Sequence, residues 1–121
     1  MWLFTTFGFF SVVQKEGDED LTGRARVVSD LDRLRERVPA LSPTRTGAGR
    51  YPYRATVPRR DWAAGLMGLA AEIRYDDYLH AVAEEQSCRR AAVYMVVWEL
   101  LEELEAKLRP GWPAAAGTKS K

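Results

Sequence analysis

Arginine is concentrated in one stretch of the sequence, between Leu21 and Arg60. This stretch holds ten arginines against three acidic residues, a net charge of +7, whereas Asp61 to Leu108 holds ten acidic residues and has a net charge of −6. Guanidinium groups bind phosphates and carboxylates through paired hydrogen bonds, and they also stack on aromatic rings. The overall charge of +1 therefore hides a segment whose chemistry suits an anionic partner.

Six arginines of this stretch are candidates for one binding surface. Two runs, Leu21–Val28 and Arg50–Val57, alternate in side-chain type, and each puts arginine on the polar face of a predicted strand. Two more arginines extend this face at the start of the next helix. The predicted surface consists of Arg24, Arg26, Arg50, Arg54, Arg59 and Arg60. Tyr51 and Tyr53 are expected on the opposite face, in the core, and a solvated, ion-paired arginine face is the alternative to a binding surface.

A second group of residues has the types found in metal and acid–base sites. Asp76, His80 and Glu84 are spaced by four residues, so a helix would place them on one stripe. Such side chains bind divalent metals or transfer protons, but a solvated ion pair fits the same spacing, and His80 is the only histidine. We expect no cofactor, and we expect a binding protein rather than an enzyme.

The single cysteine, Cys88, stands next to Arg89 at the start of the last predicted helix. Neighbouring positive charge favours a thiolate. The sequence offers no second cysteine as a partner, so we expect Cys88 to be a buried, small apolar side chain. One cysteine and one histidine fall short of the four ligands of a structural zinc site, and they indicate a reducing cytoplasm.

The elements that must position these residues begin with an uncharged, aromatic opening. Residues 1–14 contain five aromatic side chains. They predict two β-segments, Trp2–Thr6 and Gly8–Gln14, or one long strand that bends at Gly8. No basic residues stand ahead of this apolar run, as a secretory signal would require. The run is also shorter than the about 20 apolar residues of a membrane helix, so we expect no membrane partner.

Helices are predicted mainly in the second half of the chain. A short helix is predicted from Asp30 to Val38, and it is followed by a loop from Ala40 to Gly49 that can contain an edge strand. A second helix follows Pro58, and a third helical piece is capped by Asp76 or Asp77. The last predicted helix is long and runs from Ser87 to about Leu108. Pro52 favours an edge position for its strand. Gly65 and Gly68, inside the helix after Pro58, indicate close packing or a less regular helix.

Strands first and helices afterwards predict one α+β domain over residues 1–108, followed by a disordered polar tail at 109–121. We expect an antiparallel sheet of about four strands with helices on one face, in a ferredoxin-like or meander topology. The last helix carries an apolar seam that includes Tyr94, Trp98 and Leu101. This seam either covers the sheet or contributes to a homodimer interface.

Three segments of the sequence carry a resemblance to known proteins. The opening MWLFTTFGFFSVVQ, with Arg24–Ala25–Arg26 and Tyr51–Pro52–Tyr53–Arg54, resembles a group of small bacterial proteins of no established function. The resemblance extends over about residues 1 to 100. It implies a bacterial, cytoplasmic context, and it implies no activity, cofactor or catalytic residue.

Three functions fit these observations. The leading hypothesis is a non-enzymatic binding or regulatory module, which engages a nucleic acid or an acidic protein segment through its arginine-bearing sheet face. The first alternative is a small metal-assisted or acid–base enzyme that uses Asp76, His80 and Glu84. The second alternative is a structural protein–protein interaction module.

Overall fold

The computed structural model describes residues 1–111, which form a five-stranded antiparallel sheet and four helices. The elements are β1 Trp2–Phe4, β2 Phe9–Val13, β3 Leu21–Ala25, α1 Val28–Arg37, β4 Arg45–Thr46, β5 Tyr53–Val57, α2 Arg59–Ala71, α3 Tyr78–Glu85 and α4 Cys88–Lys107. The predicted α+β fold with an antiparallel sheet is confirmed, with one strand more than expected. The tail predicted at 109–121 lies, from residue 112 onward, outside the described residues.

The strand order in the sheet is β1-β2-β3-β5-β4, and every neighbouring pair is antiparallel. The first three strands follow each other as a meander, which is one of the two predicted topologies. β4 is an edge strand within the segment before β5, which the sequence predicts as a loop that can contain one. The edge position predicted for β5 is wrong, because Pro52 precedes the strand and leaves all the amides of Tyr53–Val57 free for ladder hydrogen bonds.

The main core lies between one face of the sheet and the helices α1 and α2. Phe10 of β2 and Ala55 of β5 are fully buried there against Leu34 of α1, and Trp62 of α2 closes the same cluster. Successive side chains of a strand point to opposite sides of the sheet, so every second side chain of these strands lies on the other face. The second face carries the arginines and is the subject of the site described below.

A smaller core joins the α3–α4 hairpin to the second face, near the β1–β2 turn. Val82 of α3 and Tyr94 of α4 pack there with Phe4 and Phe9, which are paired directly across β1 and β2. Asp77, one of the two residues predicted to cap α3, accepts a hydrogen bond from the His80 amide. The helices therefore contact both faces of the sheet.

Only the first half of α4 packs on the domain. Ala91 and Tyr94 are its buried residues, and no side chain from position 98 to position 107 is buried. We call residues 98–108 the arm. Among residues 1–111, no helix is both long enough and apolar enough to span a bilayer.

The two glycines of α2 differ in their surroundings, which gives a matched pair of stability predictions. A Cβ at Gly65 would lie 2.6 Å from Val38 Cγ2, whereas a Cβ at Gly68 would meet no atom within 4 Å. We expect Gly68→Ala to raise the free energy of unfolding by about 0.5–1 kcal/mol through helix propensity. Gly65→Ala is expected to lower it by about 1–2 kcal/mol, because overpacking against buried Val38 exceeds that gain.

Urea unfolding of the two variants measures both changes against the wild type. An equal stabilisation by both substitutions would contradict the close approach of α2 to the end of α1. It would leave Gly65 without a packing role.

Candidate anion-binding surface

Pairing of β3 with β5 brings the two arginine-bearing segments together, as the sequence predicts. Arg24 lies directly opposite Arg54, and Arg54 lies directly opposite Arg45 of β4. Residues paired directly across antiparallel strands share a face. Three arginines therefore form a row across three neighbouring strands.

Tyr51 is the centre of this cluster. The guanidinium carbons of Arg24 and Arg26 lie 4.6 and 4.7 Å from the centroid of its ring. Arg54 Nε donates a hydrogen bond of 3.2 Å to the Tyr51 carbonyl, and Arg26 Nη1 donates one of 3.1 Å to the Arg50 carbonyl. We call Arg24, Arg26 and Arg54, grouped around Tyr51, together with the exposed Arg50 that precedes Tyr51 in the chain, the arginine surface.

The predicted orientation of Tyr51 is wrong, while that of Tyr53 agrees with the structure. Tyr53 packs against the main core. Tyr51 precedes Pro52 and lies outside β5, so the strand alternation that assigned its face does not extend to it. Its ring is buried under the guanidinium groups instead of in the main core. Cation–π contact of this kind is worth about 0.5–2 kcal/mol.

The arginine surface carries no ion pair within the described part of the chain. Among residues 1–111 the arginines in ion pairs are Arg35, Arg37 and Arg90. Arg24 Nη2 donates to Ser11 Oγ at 2.6 Å, and its Nε is buried without a hydrogen-bond partner in this part of the chain. These residues therefore do not form the ion-paired arginine face that was the alternative interpretation of the sequence.

Two of the six predicted arginines lie elsewhere. Arg59 and Arg60 follow the end of β5 at which Val57 pairs with Leu21, whereas the Tyr51 cluster lies at the other end of the same strand. Arg59 donates a hydrogen bond of 3.0 Å to Gln14 Oε1. The prediction that they extend the surface is therefore wrong.

Further residues of this face were not predicted from the sequence. Arg45 is exposed and opposite Arg54, and the only signal for it was that its loop can hold an edge strand. Trp2, 68% exposed, packs edge to face on Phe9 with ring centroids 5.6 Å apart. Phe9 in turn lies 6.5 Å from Tyr51. Aromatic rings thus continue from the arginine surface to the β1 edge of the sheet.

A groove separates this aromatic row from α4. Its volume is about 540 Å³, and its apolar lining includes Trp2, Phe9 and Tyr51 on the sheet and Val93 and Val97 on α4. Arg26 and Arg89 line it as well. We call it the sheet–α4 groove.

In comparisons with protein-family models, curated proteins and solved structures, the chain has no match. The interpretation of the surface therefore depends on its own geometry and chemistry.

The predicted stripe of Asp76, His80 and Glu84 is only partly formed. His80 contacts Glu84 on α3, but Asp76 precedes the cap residue Asp77 and is not in the helix. All three side chains border a wide depression of about 880 Å³ between α2 and α3. Within residues 1–111 no three His, Cys, Asp or Glu side chains are close enough together to hold a metal ion.

Cys88 and the apolar seam of α4 differ from the simplest expectations. Cys88 is exposed at the first residue of α4, so the expectation of a buried side chain is wrong. Tyr94 belongs to the smaller core, whereas Trp98 and Leu101 are 57% and 55% exposed. The seam thus covers the sheet only at its N-terminal end.

A buried ion pair holds α4 beside the arginine surface. Arg90 Nη1 donates hydrogen bonds to Asp30 Oδ2 at 2.8 Å and to Tyr94 Oη at 3.2 Å. The same Asp30 oxygen accepts from the Phe9 amide at 3.1 Å. Burial lowers the pKa of Arg90, but the hydrogen bonds to Asp30 and Tyr94 outweigh it and hold the pKa above its usual value. Burial also raises the pKa of Tyr78, whose ring stacks on Tyr94.

Proposed function

We propose that this protein is a binding module that holds an anionic segment of a partner on its arginine surface. The observation that supports this most is the placement of Arg24 and Arg26 on the Tyr51 ring with no carboxylate partner among residues 1–111. The proposal includes a reducing cytoplasm as the location, in keeping with a single, exposed cysteine.

Repulsion within the arginine row is the physical reason for an anionic partner. Arg24, Arg54 and Arg45 lie opposite one another across three strands, and like charges directly opposite in a sheet are destabilising. A phosphate or carboxylate group relieves this repulsion. Contacts with Tyr51 and with backbone carbonyls already restrict the guanidinium groups, so binding costs less side-chain entropy.

The neighbouring rings favour single-stranded nucleic acid over an acidic protein segment. Trp2 is exposed next to Phe9, and Phe9 adjoins Tyr51. Proteins that bind single strands combine a positive groove with aromatic rings, and each stacked base contributes about 1–3 kcal/mol. An acidic peptide uses the charge of this surface but gains nothing comparable from an exposed indole.

The test is a salt titration with two probes, a fluorescein-labelled 20-nucleotide oligo(dT) and labelled poly-glutamate. Four arginine contacts predict a slope of about −3 in log K against log salt for the single strand, which is a loss of about 50-fold between 50 and 200 mM. We expect poly-glutamate to bind more weakly at every salt concentration. Binding that does not change with salt, or no binding of either probe at 50 mM, overturns the proposal.

A homodimer through α4 is a second candidate function, that of a protein–protein interaction module. The observation in its favour is the exposure of Trp98 and Leu101, two of the three residues that suggested an interface. The third, Tyr94, is buried against the chain's own sheet, so its predicted part in an interface is wrong. The exposed half of α4 and the arginine row across β3, β5 and β4 are different surfaces, so one protein can have both functions.

A further inference from the structure

The helix α4, together with its arm, exposes more apolar surface than a monomer normally leaves in water. Eight large apolar side chains of α4 and its C-terminal cap are at least 40% exposed: Val93, Met95, Val96, Trp98, Leu100, Leu101, Leu104 and Leu108. A standard interface buries about 800 Å² on each partner, and eight half-exposed side chains of this size supply an area of that order. Exposed apolar patches of such size mark interaction sites.

The spacing of these residues favours another helix as the partner. Tyr94, Val97, Leu101, Leu104 and Leu108 are separated alternately by three and four residues. This spacing keeps one apolar line on a helix and is typical of helices that pack along their length. Val97 lies at the middle of α4, whereas Leu101 lies at the middle of this line.

The charges of α4 favour a second copy in the antiparallel direction. Its first turn carries the exposed Arg89 beside Arg90, which is paired with Asp30. Its second half carries Glu99, Glu102, Glu103 and Glu105 against the single Lys107. Parallel pairing would place the acidic halves side by side. Antiparallel pairing about Val97 places each acidic half along the basic half of the other helix, and a twofold interface makes this match reciprocal.

The sheet–α4 groove can accommodate such an arm. It flanks the first half of α4, it has apolar walls from Trp2 and Val93, and Arg26 and Arg89 line it. The arm has the complementary composition, leucines on one side and glutamates on the others. Each copy has both a groove and an arm, so in a dimer the arm of each copy can occupy the groove of the other.

We propose that two copies of this chain form a twofold dimer, in which the arm of each lies antiparallel along α4 of the other and covers its sheet–α4 groove. This inference rests on the homodimer put forward above and assigns its geometry. Trp2 and Arg26 line the groove and so belong to both proposed surfaces, whereas the arginine row across β3, β5 and β4 takes no part in the helix pairing.

The first experiment is sedimentation equilibrium of the full chain. We expect the wild type to be a dimer at 50 μM, and Leu101→Glu/Leu104→Glu to raise the dimer dissociation constant by at least 100-fold. These side chains make no buried contact in the monomer, so the variant should fold normally. The matched control is Met67→Glu/Ile73→Glu, which replaces two exposed apolar residues outside the arm with the same charge change and should remain dimeric.

The second experiment measures the direction of pairing with a spin label on Cys88, the single cysteine, which is exposed. Cys88 lies nine residues before Val97. At 1.5 Å per residue, antiparallel pairing about Val97 separates the two labels by about 30 Å, including the offset between helix axes. Parallel pairing brings them within about 20 Å.

The outcomes separate this proposal from the others. A monomeric wild type, or a dimer that survives Leu101→Glu/Leu104→Glu, overturns pairing through the arm, and a label distance below 20 Å overturns the antiparallel direction. Oligo(dT) binding is measured on the same variants. A wild type that is monomeric and still binds oligo(dT) leaves the arginine surface proposal standing while the dimer proposal fails.

Discussion

Replacing Asp30 with alanine is expected to lower the free energy of unfolding by about 3–5 kcal/mol, since removing one partner leaves the other charge of a buried pair uncompensated. The Asp30 side chain is 2% exposed and that of Arg90 is 19% exposed. The substitution also removes the acceptor of the Phe9 amide. A loss of this size is a large part of the stability of a typical domain, which is about 5–15 kcal/mol.

Asp32→Ala is the matched control, because Asp32 also lies in α1 and also pairs with an arginine. Its partner is Arg35 at 3.3 Å, but the Asp32 side chain is 64% exposed. An exposed pair contributes about 0–1 kcal/mol. Urea unfolding of both variants distinguishes them, and similar, small losses would mean that the Asp30–Arg90 pair does not fasten α4 to α1 and the sheet.

Reversing two charges of the arginine surface is expected to weaken oligo(dT) binding by about 100-fold at 150 mM salt. The variant is Arg26→Glu/Arg50→Glu, in which both side chains are exposed, so the core is unchanged. A hydrogen bond to a charged group contributes about 1.5–3 kcal/mol, and a factor of ten corresponds to about 1.4 kcal/mol. The loss of two such contacts therefore accounts for an effect of this size even without the added repulsion.

The control is Arg59→Glu/Arg60→Glu, which makes the same change in net charge at the opposite end of β5. These positions act on the bound strand only through long-range electrostatics, which are largely screened beyond about 8 Å at 150 mM salt. We therefore expect the oligo(dT) affinity to change by less than about fivefold. Equal losses in the two variants would assign binding to overall charge rather than to the cluster at Tyr51. Fluorescence anisotropy measures both affinities, and circular dichroism checks that each variant is folded.

Local patterns were sufficient to predict most elements of this fold. Alternating side chains predict β3 and β5. The sequence also predicts Ser87 as the cap of α4 and either Asp76 or Asp77 as the cap of α3, and Asp77 is the one that forms. These signals depend on neighbours within a few residues, so they can be read directly from the sequence. The sequence allows an edge strand at β4 but does not predict one, because a strand of two residues has almost no pattern of its own.

The site was harder to predict because it depends on strand register and on distant contacts. The pairing of Arg24 with Arg54 follows from two alternating strands, but the position of Tyr51 depends on a break of alternation at Pro52. The Asp30–Arg90 pair joins residues 60 positions apart, and no local signal indicates that these two charges meet inside the protein. Arg59 and Arg60 follow β5 closely in sequence but lie at its far end.

The two outer strands of the sheet are short, β1 with three residues and β4 with two. An incoming strand finds few unpaired amides and carbonyls there, and Arg45 adds a charge to the β4 edge. The sheet therefore offers little template for fibril growth, even in a chain rich in aromatic and β-branched residues. Crowded conditions should thus favour assemblies of defined size over aggregation.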